Sequence, residues 1–266
     1  MGDCTRGDPI HHSDYEGPPV ISMSAFGQLG RFGNQILQYI FLHIYSKKVG
    51  ASLLLPPWVG SHLFGMEDSE VSVKLPAVVE SKECKSNSTF TDIMLNHITE
   101  SNKGDTVHEL CPESLLNESE LPVNVDVWGW FQWNMEYAKP YEAELRAMFR
   151  PVPELKAAMD RQVDEKLRSL GKTVVGVHLR LGDYKNTSAA SWSYIAPTSW
   201  YVEWLRELWP TLDDPVLFVA SDEIDTVLRD FAEFNPVTTD SLGITLPEEY
   251  EDIKAGFFPD FYTLTK

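Results

Sequence analysis

The chain has 266 residues, 43% of them hydrophobic and eight of them Trp, which is ample for a core and excludes global disorder. Forty acidic residues against 22 basic ones give a formal charge of −18. That balance argues against nucleic acid and against an anionic membrane surface, both of which need dense Lys and Arg, while a single nucleotide needs only a local cation.

This length predicts one large or two modest α/β domains. Residues 1–19 are polar and rich in Pro and Gly and read as a loose tail, in which Arg6-Gly-Asp is an adhesion tripeptide by spelling only. Val20 to Ala25 reads as a first strand. A turn carrying Gly27, Gly30 and Gly33 follows, without the spacing of a dinucleotide fingerprint or a Walker loop. Such a turn still offers backbone N–H groups to an anion at a helix N-terminus. Asn34 is the expected cap of a helix from Gln35 to Val49 that is apolar nearly all round, closed by Gly50. Ala51 to Leu55 reads as the next strand, stopped by Pro56-Pro57, so the opening is β-α-β with a parallel sheet.

Gly60 to Leu121 is polar and punctuated and is expected to form loops and short helices over the sheet. Asn124 to Gln132 reads as a strand. Its aromatics, with Trp133 and Tyr137, form either a buried cluster or a surface for stacking a sugar. Pro151-Val-Pro153 looks like a hinge, followed by a surface helix from Glu154 to Leu170. Pro197 to Trp209 is expected to be a helix burying Trp200, Trp204, Leu205 and Leu208. Pro215 to Ala220 reads as a strand and Glu223 to Phe234 as a helix; Ser221 or Asp222 is either its cap or, at the strand's end, a contact for a nucleotide base or ribose. The stretch Phe261-Tyr-Thr-Leu-Thr-Lys reads as the middle of a helix, and no further strand is expected to close the second sheet.

Cys4, Cys84 and Cys111 indicate neither a disulfide framework nor a zinc site; buried thiols are expected ahead of a Cys84–Cys111 bridge. Asn87, Asn117 and Asn186 begin glycosylation sequons, a nudge toward a secretory route. No signal peptide or membrane span stands out in the first residues.

The most informative stretch is Thr173 to Tyr184, an apolar β-branched run leading into His-x-Arg-x-Gly-Asp. In a strand Gly176, His178 and Arg180 share one face, and Val175, Val177 and Leu179 the other. Gly176 clears space for a ligand, His178 can hydrogen-bond it, and Arg180 presents a planar, permanently charged fork suited to phosphate. Gly182 permits a sharp turn at the strand's exit, which is where open α/β sheets bind ligands. The bland alternative is a core strand ending in a surface Arg–Asp pair.

Three separated stretches together resemble the superfamily that unites the α1,2-, α1,6- and protein O-fucosyltransferases. Gly30-Arg-Phe-Gly-Asn-Gln35 with Leu55-Pro-Pro-Trp58 is similar to the N-terminal motif of protein O-fucosyltransferases. Gly176 to Tyr184 is similar to the His-x-Arg-x-Gly-Asp motif of the α1,2 enzymes, and Phe218 to Asp222 to the second donor motif. Trp128-Gly-Trp-Phe-Gln132 is close to an aromatic-Phe-Gln stretch of bacterial α1,2 relatives.

The resemblance implies an α/β fold of the GT-B type, with two Rossmann-like halves whose parallel sheets face a cleft. An acceptor-side domain would span 20–150 and a GDP-fucose domain 151–266, the latter incomplete because a third donor motif does not follow Phe261–Lys266. It implies fucosyl transfer from GDP-fucose, with inversion and without an essential metal or other cofactor, to a glycan or glycoprotein acceptor; a non-catalytic nucleotide-sugar-binding remnant is the alternative. The absence of any Asp-x-Asp agrees with the lack of a metal.

By the same resemblance Arg180 stabilises the departing β-phosphate, worth about 3–4 kcal/mol if typical of such groups, while Asp183 is either the general base or the group that orients Arg180. His178, Ser221 and Asp222 belong to the donor site, and Gly30, Arg31, Gly33 and Asn34 line it from the other half. Trp130 and Gln132 fall on the acceptor side. The family suggests the Golgi or ER lumen, with membrane association only through an anchor outside this sequence.

Overall fold

The computed structural model describes residues 15–81, 108–116, 121–132, 135–187 and 194–266. Arg6-Gly-Asp, Cys4, Cys84, the sequons at Asn87 and Asn117, and Trp133 lie outside the described residues, as does the side chain of Asn186. The chain divides into two compact units, 1–150 and 151–266, with the boundary at Pro151.

The first unit is built on five parallel strands: β1 (Val20–Ser22), β2 (Ser52–Leu54), β3 (Ala77–Glu80), β4 (His108–Leu110) and β5 (Val125–Trp128), in the order β2-β1-β5-β3-β4. β1 pairs with β2 on one side and β5 on the other, so the winding reverses at β1. β3 and β4 correct the expectation of loops over Gly60–Leu121. Both are short, and β3 ends on a charged residue, so neither carries the alternation or apolar run that marks a strand in sequence.

Helix α1 (Phe32–Val49) begins three residues before the expected start, with Arg31 as its N-cap. Asn34 still caps it, from inside the first turn, its Oδ1 accepting the Arg31 N–H at 3.2 Å. Gly50 ends the helix in the left-handed conformation, φ +65°, with its own N–H and that of Ala51 closing onto the last-turn carbonyls. Phe41, Leu42, Ile44 and Tyr45 have no solvent exposure. Phe41 stacks on Phe131 with ring centroids 3.9 Å apart, and Tyr137 meets Phe41 edge-on. Trp58, from the Pro-Pro-Trp motif, stacks on Tyr39 and meets Phe26 edge-on, which makes it a core residue. Cys111 is disulfide-bonded, against the expectation of free thiols; its partner lies outside the described residues.

The second unit carries two parallel strands, β6 (Thr173–Leu179) and β7 (Pro215–Ser221), paired in register over their full length. A single parallel bridge joins Phe218 of β7 to Val237. Val177, Leu179, Leu217 and Val219 pack with Val202, Leu205, Val227 and Phe231. Helix α2 (Pro153–Lys166) starts on Pro at its first position and buries Leu155, Met159 and Val163. Helix α3 (Thr198–Leu208) buries Val202 and Leu205.

Trp200 and Trp204 are 57% and 50% exposed, against the expectation that α3 would bury them. They lie on the helix's other side from the Val202–Leu205 stripe. The expected helix over Glu223–Phe234 is one α-turn at Ile224–Val227 followed by 3₁₀ turns over Leu228–Phe234. Helix α4 (Phe258–Leu264) packs on α2 and β6. Asp160 of α2 accepts from Tyr262 at 2.8 Å and pairs with Lys266 and Lys156. Burial pushes the Asp160 carboxyl up, but these three hydrogen bonds outweigh it and hold it well below the usual carboxylate range.

Candidate functional site

In the first unit the loops leaving β1 and β5 meet at the carboxyl ends of those strands, where the winding reverses and where open α/β sheets take ligands. One buried carboxylate organises them. Asp126 accepts from Ser22 Oγ at 2.7 Å, Ser24 N at 2.7 Å, Ser24 Oγ at 2.6 Å and Trp128 Nε1 at 2.7 Å. A second, Glu80 of β3, is fully buried and accepts the N–H groups of Trp130 and Phe131 at 2.7 and 3.1 Å. Those bonds hold Phe131 at φ +50°, an uncommon conformation for a bulky residue. Gln38 of α1, also fully buried, donates to the carbonyls of Gly129 at 3.0 Å and Leu29 at 3.3 Å, tying the two loops together.

On this frame Gly30, Asn34, Trp130 and Gln132 converge. Asn34 Nδ2 donates to Gln132 Oε1 at 3.0 Å. Gly30 sits at φ +79°, and a β-carbon there would come within 2.5 Å of the Trp130 ring and 2.6 Å of the Asn34 side chain. Gly30 is therefore required twice over, by conformation and by space. Gly33 is not: it lies within α1 with open space where a β-carbon would be. Arg31 is exposed at the helix entry.

In the second unit β6 alternates as expected, with Val177, Leu179 and Leu181 buried and Gly176 and His178 exposed; Leu264 of α4 lies against Gly176, 3.1 Å from where a β-carbon would be. Just past its carboxyl end Arg180 is gripped by carboxylates. Its Nε and Nη2 donate to the two oxygens of Asp183 at 3.0 and 2.8 Å, and Nε also lies 3.3 Å from Asp222 Oδ2. The guanidinium carbon is 5.9 Å from the centre of the Tyr184 ring. Asp222 reaches across from the end of β7, its Oδ1 accepting the Leu181 N–H at 2.9 Å. A β-carbon at position 182 would meet Asp222 Oδ2 at 2.6 Å, so the glycine is what lets that carboxylate close on the turn. Ser221 is used locally, its Oγ accepting the Glu223 N–H at 3.0 Å.

His178 faces a different set of groups. It lines a hollow with Gly176, Trp200, Tyr201 and Trp204. Asp260 of α4, which accepts from Thr239 Oγ1 at 2.6 Å, is near enough to His178 to feel its charge. Burial is the main cause of a raised carboxyl pKa at Asp260; the Thr239 bond and the charge of His178 pull it back, and Asp240 adds to the rise. The second unit thus brings Arg180, Asp183 and Asp222 together, and the first unit Gly30, Asn34, Trp130 and Gln132. Asp126, Glu80, Gln38 and Asp260 are additions that sequence reading missed. A carboxylate inside a short apolar strand is the signal that could have found the first two, because it persists only when several donors meet it. Among the described residues no group of three or more His, Cys, Asp or Glu side chains is placed to hold a metal ion.

Two α/β units with parallel strands and polar residues at the strands' carboxyl ends are the parts expected of a GT-B-type fold. No family model and no curated protein matches the sequence. Solved structures do. The fucosyltransferase NodZ from Bradyrhizobium superposes with a TM-score of 0.53 at 13% identity, over 93% of this chain and 86% of that one. NodZ α-1,6-fucosyltransferase soaked with GDP-fucose gives 0.52, and the enzyme co-crystallised with GDP gives 0.53, each covering 93% of this chain and 85% of that one. At this identity the likeness is one of fold, and it is the fold of the enzymes that the sequence motifs resemble.

Proposed function

We propose that the chain is a fucosyltransferase that uses GDP-fucose, with the nucleotide sugar held by the second unit and the acceptor bound by the first. The observation that carries this reading is Arg180, a guanidinium oriented on two sides by Asp183 and Asp222 at the carboxyl end of a parallel strand. In transfer the bond between the fucose anomeric carbon and the β-phosphate oxygen breaks, and a bond to an acceptor hydroxyl oxygen forms on the opposite face. The acceptor proton goes to a base and GDP departs with the added negative charge. A pre-oriented cation beside that phosphate is stabilised more in the transition state than before it, which is what speeds the reaction.

Asp183 spends both oxygens on Arg180, which supports the orienting role over that of base. The disulfide at Cys111 supports an oxidising, secretory compartment. That NodZ, of the same fold, is an α-1,6-fucosyltransferase soaked with GDP-fucose and co-crystallised with GDP supports the choice of donor.

The test is transfer from GDP-fucose to a panel of glycan and glycoprotein acceptors, with GDP binding followed in parallel by calorimetry. Arg180→Ala should lower turnover by about 10²–10³-fold with an unchanged unfolding midpoint. A variant that turns over at the parent rate would remove Arg180 from the mechanism. A second reading has one observation in its favour: Arg180 is already compensated by two carboxylates, so the chain is a nucleotide-sugar binder without turnover. GDP binding with no transfer to any acceptor selects it.

A further inference from the structure

Helix α1 turns Gln38, Phe41, Leu42 and Tyr45 into the core at the spacing of one helical face. Phe41 and Leu42 are there for their bulk. Gln38, equally without solvent exposure, brings an amide that costs free energy unless it is bonded. Its Nε2 donates to two carbonyls, that of Gly129 at 3.0 Å and that of Leu29 at 3.3 Å. Its Oε1 is buried with no hydrogen-bond partner among the described residues. An apolar side chain of the same length would avoid the unmet oxygen, but it would leave both carbonyls without these donors. The helix itself needs neither bond, because both carbonyls belong to loops outside it.

Each of those carbonyls lies one residue before a group of the candidate site. Leu29 leads into Gly30, and Gly129 into Trp130. The clearance between the two loops is small: a β-carbon on Gly30 would come within 2.5 Å of the Trp130 ring and 2.6 Å of the Asn34 side chain. Asn34 Nδ2 meets Gln132 Oε1 at 3.0 Å, a bond that a slip of about 1 Å between the loops would break. Glu80 holds the second loop through the N–H groups of Trp130 and Phe131, and Asp126 ties the strand ends behind both. Gln38 bonds the backbone of one loop to that of the other. Asn34, Trp130 and Gln132 are partly exposed, where a ligand reaches them, while Gln38 lies beneath and out of its reach.

We infer that Gln38 is a positioning residue for the acceptor, holding the loop of Gly30 and Asn34 in register with the loop of Trp130 and Gln132. The choice of the acceptor as ligand rests on the fucosyltransferase reading; the register does not. Loops free to slip past each other have to be ordered anew by each acceptor, which weakens its binding and leaves the reacting groups as they were.

The experiment compares the full chain with Gln38→Met, which keeps the length and removes both donors, and with Leu42→Ala, a buried position on the same helix that serves as a control for lost stability. Hydrogen exchange needs no substrate. In Gln38→Met the amides of Arg31, Trp130 and Phe131 should exchange about tenfold faster or more, with those of β1 and β5 protected as in the parent. With the best acceptor of the glycan and glycoprotein panel, its KM should rise about tenfold or more at a kcat within about twofold of the parent's. GDP affinity by calorimetry should stay the same. Leu42→Ala should lower the unfolding midpoint without moving that KM, since a smaller folded fraction reduces apparent kcat alone. Gln38→Glu keeps one donor as a neutral buried acid and should fall between parent and Gln38→Met; it replaces the latter if that variant does not fold. Unchanged exchange at those amides, or an acceptor KM equal to the parent's, overturns the inference. A rise in KM matched by Leu42→Ala makes Gln38 merely structural, and a loss of GDP affinity ties the loops to the donor; either overturns it as well. If the parent transfers fucose to no acceptor, the acceptor role falls with that reading, and faster exchange in Gln38→Met then shows that the register itself stands.

Discussion

In the first unit Phe41, Phe131, Tyr137 and Trp58 are buried, and the carboxylates Asp126 and Glu80 are buried with them, Asp126 accepting from hydroxyl, indole and backbone donors and Glu80 Oε2 from two backbone N–H groups. In the second unit Trp200 and Trp204 stand in solvent, and the carboxylates of Asp183 and Asp222 are spent on a partly exposed Arg180. The same residue types do different work. Inside the first unit, aromatic rings and carboxylates fix the loops at the end of the sheet, because a desolvated carboxylate draws donors to itself. At the edge of the second the indoles stay in solvent and the carboxylates hold a partly exposed ion pair, which contributes little to stability.

That contrast can be broken or sharpened by substitution. The largest effect on stability is expected from Phe41→Ala, which removes a ring stacked on Phe131 from a fully buried position. It should cost about 3–5 kcal/mol in denaturant unfolding; a cost below about 0.5 kcal/mol, typical of a surface change, would mean that this core is not packed as described. Next comes Arg180→Lys. The ammonium cannot reproduce the fork that meets Asp183, so transfer should fall on the order of a hundredfold while the unfolding free energy moves by less than about 1 kcal/mol. A large loss of stability would instead make Arg180 a structural residue.

Gly30→Ala should cost about 1–2 kcal/mol for the left-handed backbone alone, and more because the new methyl meets Trp130 and Asn34. Its tryptophan emission should shift along with the unfolding midpoint, and an unchanged spectrum would separate Gly30 from Trp130. The smallest effect is on pH dependence. The folded-state pKa of Asp160 is depressed, so its contribution is complete above the unfolded value of about 3.9 and is lost as the pH falls from there through the folded value. Asp160→Asn should flatten the acid limb of the stability profile below about pH 4 and leave the neutral region's slope as it was. A slope change at neutral pH would assign the effect to another group.

How much of this was legible in the sequence varies by element. The β-α-β opening and the alternation of β6 follow from apolar pattern; the strand expected over Asn124–Gln132 is present but ends at Trp128. β3 and β4 escaped because three or four residues are too few for periodicity to speak, and the Glu80 that ends β3 reads as a loop residue until its donors are in place. Trp200 and Trp204 were misread because they and Leu205 and Leu208 form a plausible helical stripe. The helix rotated to bury Val202 and Leu205 instead, since that face matches the Val177–Leu179 side of the sheet. Among the candidate site residues, the pairing of Arg180 with Asp183 was readable from spacing. The reach of Asp222 across to Leu181 depends on the β6–β7 register, which no local pattern contains.

The cross-link at Cys111 sits directly after β4, the last strand on one side of the first sheet. A chain made in a reducing bacterial cytosol would reach the purification column with that thiol free, so its yield and melting behaviour would report on the host as much as on the sequence. Production in a periplasm or an insect-cell secretory system, compared with and without reductant, is therefore the first variable to settle before any of the substitutions is ranked.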